Sequence, residues 1–209
     1  GDGINMSHKA GRLEVLGTVQ VAELENHGTL ALYSVDEDGY AATVGNFVNA
    51  DNATLETGFV ADGSVTKVRG NSALLYGTLA MRPMADFYAS DRVITLDAPF
   101  EFEHIDIELS DVVLASSSSP TLTFELQENS EELQVMASRP QTAYSQYAQN
   151  SGASGLGRSL VRIASRATGD MQNLLEALGW SARDGHEVSR ALDTLGAEAY
   201  DASARASLA

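Results

Sequence analysis

PFEFEHIDIEL (99–109) alternates as a strand does. Phe100 and Phe102, then Ile105, Ile107 and Leu109, fall on one face, and Glu101, Glu103, Asp106 and Glu108 fall on the other. The register slips near His104, which predicts a bulge or tight turn there. Farther along, TLTFEL (121–126) and ELQVMA (132–137) flank QENSE and read as a hairpin. Residues 83–138 contain no glycine and read together as a well-packed antiparallel cap, with Leu122, Phe124, Leu133 and Val135 joining Phe100, Phe102, Ile105 and Ile107 in its core.

The texture upstream is looser. LEVLG (13–17), VQVAEL (19–24), TLALYSV (29–35) and ALLYGTLAM (73–81) are short apolar runs separated by Gly, Asn and Asp. Eleven of the 18 glycines lie between Gly1 and Gly77, so turns with unusual backbone angles are concentrated there. Short strands with such corners suit a sandwich, a barrel or a solenoid. GTV (17–19), GTL (28–30) and GTL (77–79) hint at repetition without a strict period. A solenoid tolerates that, because each rung needs only inward apolar residues and permissive turns. It would also need a cap such as the one read at 83–139.

From Pro140 onward the period changes from two to 3.6. Leu156, Leu160, Ile163 and Ala167 form one helical stripe. Met171, Leu174, Leu175 and Leu178 form a second, with Asp170 as N-cap and Gly179 as stop. Val188, Ala191, Leu192 and Leu195 form a third, opened by Asp184 and Glu187 as a capping box. A last helix, ALDTLGAEAYDASARASL (191–208), carries a thin alanine-rich stripe. SGASGLG (151–157) reads as the flexible joint ahead of these helices.

Composition narrows the function. Thirteen Lys and Arg against 29 Asp and Glu give a formal charge of −16, which repels phosphate backbones and excludes nucleic acid as a partner. With no cysteine there are no disulfides and no thiolate metal sites. GDGINMSHKAG has no apolar core of a signal peptide, so an exported protein would carry this chain as an internal piece.

Leu192, Leu195, Glu198 and Tyr200 carry a resemblance. The pattern around them is similar to LxxLSGExYAxA, the segment ahead of the translocator barrel in bacterial autotransporters (type V secretion). Gly196 and Ala197 stand where Ser-Gly is usual, and Asp201 interrupts the run of small residues. The order of segments resembles that family too. DRVITLDAPFEF (91–102) looks like its stem-closing segment, ELQVMASRP (132–140) like its last strand, and TAYSQYAQNSGASGLGRSLV (142–161) like the stretch before its helices. The resemblance implies the C-terminal end of a right-handed parallel β-helix (1–82), a stem-end cap of autochaperone type (83–139) and a helical pre-barrel region (140–209). It further implies a surface or secreted location at the outer membrane. The partners would be the chain's own barrel, the outer-membrane assembly machinery and a host surface ligand.

No catalytic, cofactor or metal residue is read. His8, His27, His104 and His186 are far apart and lack ligand spacing, although His104 could be buried beside Phe102. DEDG (36–39) opens like a calcium loop but lacks the later ligands, and reads as a polar turn. GNSA (70–73) reads as a turn ahead of a strand, Glu131 and Glu132 as solvated surface, and Tyr144, Tyr147 and Tyr200 as half-buried helix residues. The function expected is thus non-catalytic. Phe100, Phe102, Ile105, Ile107, Leu122, Phe124, Leu133 and Val135 would nucleate folding of an exported stem, and the helices would link it to the barrel. The alternatives are a piece of a secreted subtilisin-like protease or lipase whose active site lies upstream, or an adhesive solenoid.

Overall fold

The computed structural model describes residues 4–127 and 132–206, with side chains in the final helix given as far as Ala197. The strands run β1 (Asn5–His8), β2 (Arg12–Val15), β3 (Val19–Asn26), β4 (Thr29–Leu32), β5 (Tyr40–Asn49), β6 (Thr54–Phe59) and β7 (Lys67–Leu75). They continue with β8 (Thr78–Pro83), β9 (Arg92–Thr95), β10 (Phe100–Ile107), β11 (Asp111–Leu114), β12 (Thr123–Gln127) and β13 (Gln134–Ser138). A short 3₁₀ turn (Ser145–Tyr147) precedes α1 (Ser151–Ala164), α2 (Asp170–Gly179) and α3 (His186–Ala206). The chain is mainly β, with parallel sheets and three helices.

Two compact units share the chain. The first comprises the chain up to Met84 with Ile94–Ser116 and Leu126–Val135; the second comprises Ala85–Val93, Ser117–Glu125 and the chain from Met136. In the first, one sheet has the order β1-β3-β5-β7-β10 and another the order β11-β8-β6-β4-β2. All eight pairings in these two sheets are parallel. Successive strands therefore alternate between the sheets, each pairing with the strand two steps back, except where β9 intervenes.

The slip near His104 explains how the strands of the first sheet fit together. Phe100, Phe102, Ile105 and Ile107 pair with Val68, Gly70, Ala73 and Leu75. Those pair in turn with Ala42, Val44, Phe47 and Asn49, and these with Val19, Val21, Leu24 and Asn26. The inward residues are spaced two, three, two in all four strands, so one bend is stacked at one level. At that level Gly70 is obligatory, since a Cβ there would lie 2.0 Å from the Val44 carbonyl oxygen. The expected bulge or tight turn is not found, since β10 keeps one register with β7 on both sides of His104, and the antiparallel cap is corrected in part. PFEFEHIDIEL is a further parallel strand because its two-three-two spacing matches that of β7. His104 is exposed rather than buried beside Phe102, because it points to the outer face.

The second sheet is buried on both faces over its central strands. Leu30, Leu55 and Leu79 stand in register, and so do Ala31, Glu56 and Ala80. At the corner between the sheets, Asn26 and Asn49 are fully buried and stacked. Asn26 Nδ2 donates to Asn49 Oδ1 (2.7 Å) and to the Thr54 carbonyl (3.0 Å), and Asn49 Nδ2 donates to the Tyr76 carbonyl (2.7 Å). The corner's backbone groups are satisfied by side chains in this way, as burial requires.

The third sheet has the order β12-β13-β9, so β12 and β13 are neighbours, as the hairpin reading requires. The expected tip at 128–131 lies outside the described residues.

In the second unit the structure corrects the flexible joint. SGASGLG forms the first two turns of α1, because Asn150 caps it by accepting the Ala153 N–H (2.8 Å) and small residues are needed on its inner side. A Cβ on Gly157 would lie 2.7 Å from the Ser145 nitrogen. The buried stripe is correspondingly Ala153, Gly157, Leu160, Val161 and Ala164, and Ile163 is exposed. Leu175 and Leu178 of α2 and Val188 and Leu192 of α3 complete the core. Gly169, rather than Asp170, occupies the N-cap of α2. The third stripe and the alanine-rich stretch are one helix, since nothing between Leu192 and Ala197 breaks it.

Candidate functional site

The outer face of the second sheet carries a polar cluster that sequence reasoning missed. Along β2, Arg12 and Glu14 point outward while Leu13 and Val15 are more covered. The register carries that outward row through Ala31 to Glu56 and Ala80. Glu56 therefore stands between two alanines, and its side chain is only 7% exposed. Arg12 Nη1 donates to Glu56 Oε2 and the Tyr33 hydroxyl donates to Oε1. Arg82 Nη1 lies 3.9 Å from Oε1 and donates to the Tyr33 oxygen at 3.2 Å, its guanidinium 5.1 Å from the Tyr33 ring centroid.

Burial alone would raise the Glu56 carboxyl, but the hydrogen bonds from Arg12 and Tyr33 and the charges of Arg12 and Arg82 hold it below its ordinary value of 4.5. Tyr33 is pushed up, first by burial and then by its bond to Glu56. Both guanidinium groups are raised, Arg12 chiefly by its bond to Glu56 and Arg82 chiefly by its bond to Tyr33. A carboxylate so held is a poor base, because its lone pairs are engaged and its proton affinity is low. The cluster instead clips together β2, the end of β4, β6 and β8. Beside it lies an apolar pocket of about 240 Å³, lined by Tyr33, Val35, Phe59, Val60, Val65 and Met84, with Ser64 and Thr66 as its hydroxyls.

The expected folding residues fall in different places. Phe100, Phe102, Ile105 and Ile107 share one face of β10, an edge strand; the two phenylalanines are half-buried, and the isoleucines are 41% and 51% exposed. Val135 is fully buried, and Leu133 is half-buried with its carbonyl accepting the Leu96 N–H (2.8 Å). Leu122 and Phe124 belong to the second unit, where the Phe124 ring stands edge-on to Tyr88 (4.9 Å) and 6.4 Å from Trp180. Leu192 is buried and Leu195 half-buried on α3. Glu198 and Tyr200 continue that helix, with side chains outside the described residues.

Motifs set aside in the sequence fall as follows. Asp36 Oδ1 accepts the backbone N–H of Asp38 and Tyr40, so DEDG is a turn closed on itself. GNSA lies inside β7 rather than ahead of a strand, and Ser72 Oγ donates to Asn46 Oδ1 at 2.7 Å. Tyr144 is fully buried rather than half-buried. Among the described residues no three His, Asp or Glu side chains are grouped to hold a metal, and no helix is long and apolar enough to cross a membrane.

No protein-family model matches the chain, and neither does any curated protein or solved structure.

Proposed function

We propose that the chain is the membrane-proximal part of an autotransporter passenger. The first unit would be the end of a parallel β-solenoid, and the helices would lead toward an outer-membrane barrel. One observation carries this reading: odd-numbered strands up to β7 build one parallel sheet and even-numbered strands up to β8 another, with β10 adding a further strand to the first and β11 to the second. A chain that coils through two sheets produces that order, and a sandwich of hairpins does not. The stacked asparagine corner fits the same coil.

The function follows from growth by templating. Each rung of a solenoid is stabilised mainly by its neighbour, so an end that folds first offers a surface for the next rung. Threaded export from the C-terminal end would convert that stepwise gain into directed movement without a nucleotide. The role is structural, and Phe100, Phe102 and Val135 serve it by packing.

The test places the chain between a reporter and a heterologous autotransporter barrel in a bacterium and scores surface exposure by added protease. Surface display is expected for the wild type and a several-fold loss for Phe102→Ala. Equal display of both, with the variant destabilised in vitro, would sink the reading.

A further inference from the structure

β10 is the last strand of its sheet, so among the described residues the backbone groups on its outer side have no ladder partner. Its inward row is uncovered as well. In β3, β5 and β7, each flanked by a strand on both sides, the third residue of that row is buried: Leu24, Phe47 and Ala73. The fourth is buried too, as Asn26, Asn49 and Leu75. Their counterparts in β10, Ile105 and Ile107, are exposed. Each interior strand has a neighbour on its second side, and that neighbour is the cover these isoleucines are missing.

The outer face of β10 selects the chemistry of such a neighbour. Glu101 accepts a hydrogen bond from the Tyr40 hydroxyl and stands in register with Arg69. Glu103, Asp106 and Glu108 are exposed, and no Lys, Arg or His among the described residues forms an ion pair with them. Three uncompensated carboxylates along one strand repel a like-charged strand and attract a cationic one. A second copy of the chain does not meet that requirement. Two β10 edges would set these acids against each other, and β1, the strand at the opposite edge of the sheet, carries no Lys or Arg.

We infer that the free edge of β10 is a docking site for an extended segment of a partner protein, with apolar residues spaced two, three, two and Lys or Arg between them. The segment adds a strand to the sheet, lays its apolar residues beside Ile105 and Ile107 and faces Glu103, Asp106 and Glu108 with its cations. Spacing belongs to the requirement, because β10 pairs with β7 in one unbroken register and hands the same spacing on. The edge is part of the first unit, and the inference does not depend on the export reading.

The probe is a fluorescein-labelled peptide of eight residues, the length of β10, with valine at positions one, three, six and eight and lysine at the others. Fluorescence anisotropy follows its binding to the whole chain. A peptide of the same composition in strict alternation should bind about tenfold more weakly, because its side chains fall on the wrong faces beyond the third position. A peptide with glutamate for lysine should not bind. Glu103→Gln, Asp106→Asn and Glu108→Gln together should weaken the lysine peptide about tenfold. Changing the same three residues to lysine should transfer binding to the glutamate peptide, and all three are exposed, so these variants fold. Equal binding of the two lysine peptides, or unchanged binding by the neutralised variant, would overturn the assignment. So would wild-type chain that binds no peptide while the neutralised variant self-associates, since the acids would then serve only to keep the edge unpaired. Dimerisation of the wild type through β10 would give the edge to a second copy and overturn it equally.

Discussion

Truncating Asn49 to alanine tests the stacked corner directly. Asn49 is fully buried, accepts one 2.7 Å bond from Asn26 and donates another to the Tyr76 carbonyl. Asn49→Ala leaves one Asn26 N–H and the Tyr76 oxygen without these partners. At about 1–3 kcal/mol for each of the two stranded buried groups, the loss is roughly 2–6 kcal/mol. That is a large share of the ~5–15 kcal/mol that holds a typical domain. Asn49→Leu should cost less, because Leu75 fills the next position in the stack at 1% exposure, and burying a leucine returns about 1.5–3 kcal/mol. Asn26→Ala should be comparably harmful to Asn49→Ala. The double alanine variant should cost less than the sum of the two, since the shared bond is lost once. Urea unfolding followed by far-UV circular dichroism measures this, with Trp180 fluorescence reporting separately on the second unit. An Asn49→Ala midpoint equal to wild type, or strict additivity in the double variant, would refute the idea that the corner is held by this pair.

Two further outcomes follow from the site and the helices. The Glu56 carboxyl is depressed in the folded chain, so its contribution to stability is present above the unfolded value near 4.5 and is lost as pH falls through the lower folded value. With the Arg12 side chain 45% exposed and screened, Glu56→Gln should cost only about 1–2 kcal/mol at neutral pH, and the gap from wild type should close on acidification; a pH-independent gap in urea unfolding would refute the linkage. Asn150→Ala removes the cap of α1 and should cost about 1 kcal/mol, seen as a lower midpoint in Trp180 fluorescence, whereas Asn150→Asp should restore it. An unchanged midpoint in Asn150→Ala would mean that α1 is fixed by packing alone.

Faces were legible in the sequence where neighbours were not. Alternation told which way Phe100, Phe102, Ile105 and Ile107 point, because side-chain direction is a local property. It did not tell that β10 runs parallel to β7, whose residues pair with it about 30 positions back. The shared two-three-two spacing of Val19, Val21 and Leu24 with Phe100, Phe102 and Ile105 was the available signal. The threonine repeat was disguised in a similar way. Thr29, Thr54 and Thr78 stack, but Ala53 stands where Gly28 and Gly77 stand in the other two, while GTV (17–19) belongs to a different sheet. SGASGLG misled because composition cannot show that Gly157 must lie against Ser145. Glu56 was invisible for the same physical reason: Arg12, Tyr33 and Arg82 reach it only after four strands have been laid side by side.

The connections between the two parallel sheets are unequal. From the first sheet to the second the chain spends two residues after β3, four after β5, two after β7 and three after β10. On the way back it spends three after β2, but seven after β4, seven after β6, and the whole of 84–99, β9 included, after β8. One margin of the stack is bound tightly by side-chain bonds and the other is left ragged. Lengthening a ragged turn costs little, about 0.6 kcal/mol for each doubling of a flexible loop, whereas one added residue at the bound margin would displace Asn26 from Asn49. New surface can therefore be grafted onto one margin only, and it would emerge there as a row of neighbouring loops, each carried by a different turn of the chain.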